Sequence, residues 1–235
     1  MTIKSITAFV KRNSVIFSFF IVSLIIILSY LLTMDCPELF IGAEKWFNLM
    51  FQLSVGYIIN FMFYVTQVYI PNNKRDSIVR QNISIRINQI VGNMRHSITS
   101  LAEIYLKEHT GTKFTDDELS KLLVLRFSDN TKVLDASRTT KDHFVYFTVR
   151  EWLKDCILKT ELEIDRLYKY YGTNISVELI KILEEILHSS YHTTMKILLS
   201  VPNDVNFNEC NDNFFSTYYH LICELEKINE KEYKN

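Results

Sequence analysis

The sequence that decides the fold begins with the uncharged run WFNLMFQLSVGYIINFMFYVTQVYI, residues 46–70, and continues into PNNKRDSIVRQNISIRINQIVGNMRHSITSLAEIYLKEH, residues 71–109. No charged residue occurs from Trp46 to Asn73, and a second uncharged run of 22 residues extends from Asn13 to Met34. An apolar helix of about 20 residues is long enough to cross a hydrocarbon core of roughly 30 Å. We therefore predict two transmembrane helices, residues 14–34 and 46–70.

Basic residues are distributed unequally about these two spans. Three precede the first span, namely Lys4, Lys11 and Arg12, and four follow the second, namely Lys74, Arg75, Arg80 and Arg86. Only Lys45 lies in the connection between the spans. By the positive-inside rule, residues 1–13 form a cytoplasmic N-terminus, residues 35–45 lie outside, and the C-terminus is cytoplasmic. Because the first span is too long for a signal peptide and no small-residue cleavage site follows it, we expect a retained anchor in the cell inner membrane.

The second span contains a stripe of polar and small residues, Gln52, Gly56, Asn60 and Gln67, which we call the polar stripe. At 100° per residue these four positions fall within an arc of about 80° on one helix face. Amides are costly in hydrocarbon unless they are hydrogen-bonded, so the polar stripe should face protein or water. Two arrangements remain open: packing against the first span, whose Ser14, Ser18 and Ser29 share a face, or contact between the stripes of several chains.

After the second span, Pro71 should end or kink the helix, because proline cannot donate to the carbonyl four residues back. Residues 71–109 then form a basic juxtamembrane amphipathic helix with an apolar seam that repeats every eleven residues. The seam consists of Val79, Ile83, Ile87, Ile90, Met94, Ile98, Leu101 and Tyr105. This period predicts a nearly straight helix of about 50 Å. We expect its first partner to be the rest of the cytoplasmic domain, with self-association as the alternative.

Residues 110–235 are predicted to form a cytoplasmic helical domain without strands. Its first predicted element is a short helix that is capped by Thr115 and Glu118 and ends at Phe127, and a loop follows over 128–142. A helix over 143–171 comes next and is terminated by a left-handed Gly172. Asn174 or Ser176 caps a further helix that runs to Ser200, and a last helix covers 213–231. The fold class is therefore all-α, a two-span transmembrane hairpin followed by a long juxtamembrane helix and a cytoplasmic bundle.

Charge differs between the two cytoplasmic regions. Residues 71–113 contain seven Lys or Arg against three acids, whereas residues 114–235 contain fifteen against twenty-one. We call Lys74, Arg75, Arg80 and Arg86 the basic collar and expect it to lie at the surface of the lipid bilayer. The acidic remainder lacks the concentrated positive surface that phosphate binding needs, so no direct nucleic-acid binding is expected.

Few residues indicate catalysis or metal binding. Glu184, His188 and His192 recur at four-residue spacing, and His220 and Cys223 could complete a metal site, but without a Glu beside the first His the spacing favours ordinary packing. Five glycines form no nucleotide-binding loop, and no Ser or Cys has a nucleophile context. We therefore expect no enzymatic activity, no metal and no cofactor. A group of aromatic residues should mostly form core, with a recognition surface as the alternative: Phe144, Tyr146, Phe147, Trp152, Tyr168, Tyr170, Tyr171, Phe214, Phe215, Tyr218 and Tyr219.

The two spans and the step from Pro71 to Arg75 resemble the layout of the two-helix transmembrane effectors of bacterial anti-phage systems, including those encoded beside retron reverse transcriptases. The resemblance implies an inner-membrane toxin that a partner complex keeps silent and that permeabilises the membrane on infection. It also implies a homo-oligomer and a cytoplasmic regulatory protein or ribonucleoprotein, such as a reverse transcriptase with its RNA and DNA. The polar stripe would then self-associate or line a water-filled path, and the helix from Val79 to Tyr105 would be the element that switches the protein on. The competing interpretations are a non-toxic membrane-anchored adapter and, with less support, an enzyme or metal-dependent sensor built on His188 and His192.

Overall fold

The computed structural model describes residues 3–33, 40–106, 113–124, 126–127, 132–134, 139–200, 205–207 and 210–234. Over these residues the fold is all-α, as predicted, with four short strands. The chain divides into two compact units, Met1–Ser77 and Ile78–Asn235.

The first unit contains the two apolar helices. Helix α1 (Ile3–Arg12) and helix α2 (Ser14–Thr33) are separated only by Asn13. Helix α3 (Ala43–Phe63) packs against α2, and the two helices run antiparallel, because Phe20 contacts Phe61 and Tyr30 contacts Phe51. Two helices are long and apolar enough to cross a membrane: α2, with a mean hydropathy of 2.8, and the continuous helical stretch that begins at Ala43, with 1.4 over its most apolar window. Only 6% of each apolar window is buried, whereas the core helix of a soluble protein would be mostly covered.

Pro71 does not end the helix, as the sequence had suggested it could. A π-helical segment, Tyr64–Tyr69, follows α3 directly, and helix α4 (Ile70–Tyr105) then passes through Pro71 without interruption. The bond from the Ile70 amide to the Val65 carbonyl is of the i→i+5 type. A local π-helical segment is one way in which a helix tolerates a proline, which has no backbone N–H to donate.

The second unit contains α4 from Ile78 onward, the later helices and all of the described strands. Its elements after α4 are α5 (Asp116–Lys121), a 3₁₀ turn (Leu122–Val124), β1 (Arg126–Phe127), β2 (Lys132–Leu134), β3 (Tyr146–Thr148), α6 (Val149–Tyr171), α7 (Val177–Leu187), α8 (Ser190–Ser200), β4 (Val205–Asn206) and α9 (Phe214–Glu232). Strand β1 pairs antiparallel with β4, and β2 pairs antiparallel with β3.

The core of this unit forms around the apolar seam of α4. The six seam residues from Ile83 to Leu101 are fully buried, and they share one apolar cluster with side chains of α5, α6, α7 and α9. Val79 is partly buried against the same cluster, while the side chain of Tyr105 lies outside the described residues. The predicted pairing of the seam with the rest of the domain is therefore confirmed.

Polar bonds between α4 and the later helices fix the register of this core. The amide of Asn229 on α9 donates to the Asn88 side chain at 2.9 Å, and Tyr191 on α8 donates to the Ser97 hydroxyl at 3.2 Å. Arg95 donates to both carboxylate oxygens of Glu226 at 2.8 Å. Paired polar groups of this kind specify one arrangement, because any shift of α4 would leave them unsatisfied.

Four local predictions need correction. Helix α5 ends at Lys121 and not at Phe127, and α6 begins at Val149 and not near His143, because a capping box of Thr148 and Glu151 starts it. The helix predicted to run to Ser200 is broken at His188 and Ser189 into α7, capped by Ser176, and α8. The domain also contains strands, although none was predicted. The predicted helix end near Gly111 lies outside the described residues.

Gly172 follows α6, as predicted, but in a right-handed conformation, with φ of −51° and ψ of −34°. Glycine is required there for a different reason: a Cβ atom would lie 2.6 Å from the carbonyl oxygen of Tyr168. A contact this short forces the backbone to move, so close approach and not a left-handed φ explains the residue.

Candidate functional site

The polar stripe lies on the outer surface of the first unit. Gln52 and Asn60 on α3 and Gln67 in the π-helical segment are exposed, and Gly56 between them is half-buried. None of the three amide side chains forms a hydrogen bond with any residue that the structure describes. Amides have four hydrogen-bonding positions each, so the stripe presents a row of unsatisfied donors and acceptors.

The contact between α2 and α3 uses a different face from the polar stripe. Ser23 and Ser54 are buried in this contact, and two stacked ring pairs flank them, Tyr30 with Phe51 at 4.5 Å between centroids and Phe20 with Phe61 at 4.4 Å. A further bond runs from the Tyr57 hydroxyl to the Ile16 carbonyl oxygen at 2.8 Å. Small residues at the centre allow the helices to approach closely, and the rings fill the space on either side.

The serines of α2 that could have met the polar stripe do not do so. Ser14, Ser18 and Ser29 are all exposed, and the Ser18 hydroxyl donates to the Ser14 carbonyl oxygen of its own helix at 2.8 Å. Within this chain, the first of the two arrangements left open by the sequence is therefore not formed. The amides of the polar stripe remain available to water or to another molecule.

The basic collar is divided between two environments. Lys74, Arg75 and Arg80 are exposed, as a surface-binding role requires. Arg86 is instead half-buried and forms an ion pair with Glu163 on α6, which also bonds Arg166 at 2.6 Å. Burial raises the pKa of Glu163, but its bonds to the two guanidinium groups outweigh burial and hold that pKa below its ordinary value. Arg86 therefore contributes to the fold of the second unit.

The two histidines singled out as metal candidates are held by different partners. His188 is exposed and lies 3.5 Å from Glu184 on α7, the helix that it follows, whereas His192 is buried and its Nε2 lies 3.0 Å from Glu161 on α6. His220 lies 3.7 Å from Asp116. Over the described part of the chain, no three His, Cys, Asp or Glu side chains gather as metal ligands would.

Most of the predicted aromatic group belongs to the core. Trp152, Phe214, Phe215, Tyr218 and Tyr219 are buried. The rings of Phe147, Tyr168 and Tyr171 pack partly against the same cluster, while Phe144, Tyr146 and Tyr170 remain exposed.

Sequence reasoning missed a polar pocket in the first unit. It lies between the junction of α1 and α2, at Arg12 and Asn13, and the segment from Tyr64 to Asp76, and its volume is about 80 Å³. A pairing between positions more than fifty residues apart leaves no periodic pattern in the sequence. The available signal was the Asn13 interruption before the first span and the pair Asn72 and Asn73 after the second.

Comparisons of this chain with protein-family models, with curated proteins and with solved structures found no match.

Proposed function

We propose that this protein is a membrane effector of a bacterial anti-phage defence system. Two helices anchor it in the cell inner membrane with both termini in the cytoplasm. When it is released from a partner complex, its copies associate through the polar stripe and disrupt or permeabilise the membrane, which stops growth of the infected cell. One observation carries the proposal: three amides on a span-length apolar helix are exposed and unpaired within the described chain.

The energetics of the bilayer support association through this face. An amide exposed to hydrocarbon lacks the hydrogen bonds that water supplies, and a bond between membrane helices contributes about 0.6–2 kcal/mol. Gln52, Asn60 and Gln67 can recover such bonds from the same residues of a second copy. Gly56 lies in the middle of the stripe, and nothing within 4 Å would meet a side chain there, so a neighbouring helix can approach closely.

Association of more than two copies would give the stripe a further property. In a ring of spans, the amides would face one another around a common axis and could hold water between them. Polar groups that line a water-filled path are tolerated at membrane depth, whereas the same groups facing lipid are not. A homo-oligomer of this kind would pass ions and collapse the membrane potential.

Control by a partner is the second part of the proposal. The region from 114 to 235 has six more acidic than basic residues, which favours a protein partner with a basic surface. The layout resemblance suggests a ribonucleoprotein such as a reverse transcriptase with its nucleic acid. In that arrangement nucleic acid is bound by the partner, and this chain supplies the membrane action.

Induced expression of the full chain in bacteria, followed with a membrane-potential dye, tests the proposal. We expect depolarisation, and we expect it to be lost when Gln52, Asn60 and Gln67 are replaced together by Leu, because the variant retains an apolar span without the amides. Membrane insertion of the variant is measured in parallel by resistance to alkaline extraction.

A matched control tests whether the effect belongs to the amides of the polar stripe or to any exposed polar group in a span. Ser18→Leu also removes an exposed polar group from a span, but its hydroxyl is already bonded within α2. Depolarisation should survive this change. Unchanged depolarisation in the triple Leu variant would show that the stripe has no part in permeabilisation.

A second candidate function is a non-toxic membrane-anchored adapter. The observation that favours it is the exposure of Phe144 and Tyr170, at 60% and 61%, on the second unit, since exposed aromatic residues are enriched at recognition surfaces. The same expression experiment decides between the two functions. An absence of depolarisation even after the partner complex is removed would favour the adapter.

A further inference from the structure

The polar pocket of the first unit is built around a fixed asparagine. The backbone amide of Asn13 donates to the Phe9 carbonyl at 2.9 Å and its side-chain amide donates to the same oxygen at 3.2 Å, while its Oδ1 accepts from the Tyr64 hydroxyl at 3.1 Å. Phe9 is buried, with its ring 4.5 Å from that of Tyr69. These contacts hold the start of α2 against the π-helical segment, so the pocket is a formed feature of this unit.

The two charged residues that line the pocket have opposite signs. Arg12 and Asp76 both line the pocket, and neither forms an ion pair with any described residue. They are therefore not bonded to each other across the pocket. A guanidinium and a carboxylate that face one cavity without pairing leave room for a ligand that carries both complementary charges.

The neutral residues of the pocket supply further polar groups. Tyr69 and Asn72 line it, and their side chains make no hydrogen bond within the described chain. The volume of about 80 Å³ is several times the roughly 10–15 Å³ that one ordered water requires. A small polar group with several acceptors can therefore enter and be bonded.

The position of the pocket along the helices indicates the source of the ligand. It lies where α2 begins and where the second apolar run ends, and tyrosines line it, as is typical of the headgroup level of a bilayer. Under the proposed membrane placement, on which this inference rests, the pocket is level with the phosphates of the cytoplasmic leaflet.

We propose that this pocket binds the headgroup of a phosphatidylethanolamine lipid. The phosphate accepts hydrogen bonds from Arg12, Tyr69 and Asn72, and the primary ammonium donates to the Asp76 carboxylate. A purely anionic headgroup gains from Arg12 but is repelled by Asp76. A phosphatidylcholine headgroup has both charges, but its quaternary ammonium has no N–H to donate to Asp76.

The test uses native mass spectrometry of the full chain in detergent micelles, with added phosphatidylethanolamine, phosphatidylcholine or phosphatidylglycerol. We expect retention of phosphatidylethanolamine above the other two lipids. Arg12→Gln and Asp76→Asn should each reduce that retention by about fivefold, the effect of one exposed charge-assisted contact. Both side chains are exposed, so the variants should fold and insert like the parent chain.

Controls separate a built site from general attraction to basic residues. Lys11→Gln and Arg75→Gln each remove one exposed positive charge beside the pocket without changing its lining, so phosphatidylethanolamine retention should be unchanged. Addition of soluble phosphoethanolamine should compete if the headgroup alone is recognised, and failure to compete would show that the acyl chains provide the affinity and overturn the headgroup site. Equal retention of all three lipids, or an equal loss in Lys11→Gln, would also overturn it.

Failure of the headgroup site can be distinguished from failure of the proposed function. Depolarisation by a chain that shows no lipid preference would leave the effector proposal standing and remove the headgroup site. A chain that is fully extracted from membranes at alkaline pH would overturn the headgroup site together with the membrane placement.

Discussion

At the scale of single residues, His192 combines burial with an incomplete set of hydrogen bonds. Its Nε2 lies 3.0 Å from Glu161, which also accepts from Lys196 at 2.6 Å, so Nε2 carries the proton and donates to the carboxylate. Its Nδ1 is buried without a partner in the described part of the chain. Burial lowers the pKa of His192, while the bond to Glu161 opposes that effect only in part, and the ring is neutral in the fold.

This pKa predicts that stability falls in mild acid. In the unfolded chain His192 takes up a proton near its ordinary pKa of 6.5, whereas in the fold it resists protonation until a lower pH. Between the folded and the unfolded pKa the unfolded state therefore binds more protons than the fold does, and the fold loses stability as pH falls through that window. The thermal midpoint of the detergent-solubilised full chain should drop between about pH 7.5 and 5.5 and should drop less in His192→Gln.

Two features keep this prediction specific to His192. Gln can still donate to Glu161 but does not titrate, and Glu161 stays charged over this pH range: burial raises its pKa, but its bonds to Lys196 and His192 outweigh burial and lower it. His188→Gln, at an exposed histidine, is the matched control and should retain the full pH dependence. An equal drop in the parent and in His192→Gln would show that another group is responsible.

At the scale of secondary structure, the start of α6 depends on a reciprocal pair of hydrogen bonds. The Thr148 hydroxyl accepts from the Glu151 amide at 3.2 Å, and the Glu151 carboxylate accepts from the Thr148 amide at 3.0 Å. These bonds satisfy donors that have no partner within the helix. The bond from the Thr148 amide, together with a bond from the Thr148 hydroxyl to the same carboxylate, lowers the pKa of Glu151. Helix α6 contributes Trp152, Leu153, Ile157 and other core residues, so its first turn is tied to the whole core.

Thr148→Ala should therefore destabilise the second unit by about 1 kcal/mol, which corresponds to a fall of roughly 2–4 °C in the thermal midpoint. Thr148→Ser retains the hydroxyl and should stay close to the parent. Thr115→Ala removes an equivalent box from α5, a helix of six residues, and should have a smaller effect because less of the core depends on that helix. If the thermal midpoint of Thr148→Ser fell as far as that of Thr148→Ala, packing of the Thr148 methyl group and not the cap would explain the loss of stability.

The sequence predicted those elements whose pattern is local. The buried seam of α4 follows from an eleven-residue period, and the Thr115 cap from residues three positions apart. The start of α6 was missed because apolar and aromatic residues from Phe144 to Val149 continue a helix-like run, while β3 pairs with residues from 132 to 134. The break at Ser189 was missed because no Gly or Pro marks it. The polar pocket depends on distant residues that only the fold brings together.

At the scale of the whole molecule, the unequal distribution of Lys and Arg predicts that residues 35–45 lie outside and that both termini lie inside. The native cysteines can report this orientation, because Cys36 alone lies in the connection and Cys156, Cys210 and Cys223 lie in the second unit. Cys156 is buried, which raises the pKa of its thiol to about 12 and makes it unreactive. Cys210 and Cys223 are half-buried.

A membrane-impermeant maleimide should therefore label the chain in intact cells through Cys36 only, and Cys36→Ser should abolish that labelling. Labelling of Cys210 or Cys223 should require permeabilised cells, because the positive-inside rule predicts a cytoplasmic second unit. The experiment is performed on the variant with Leu at positions 52, 60 and 67, so that the proposed pore cannot admit the reagent. Labelling of intact cells that express Cys36→Ser would place the second unit outside and contradict the predicted orientation, on which both the proposed effector function and the proposed headgroup site depend.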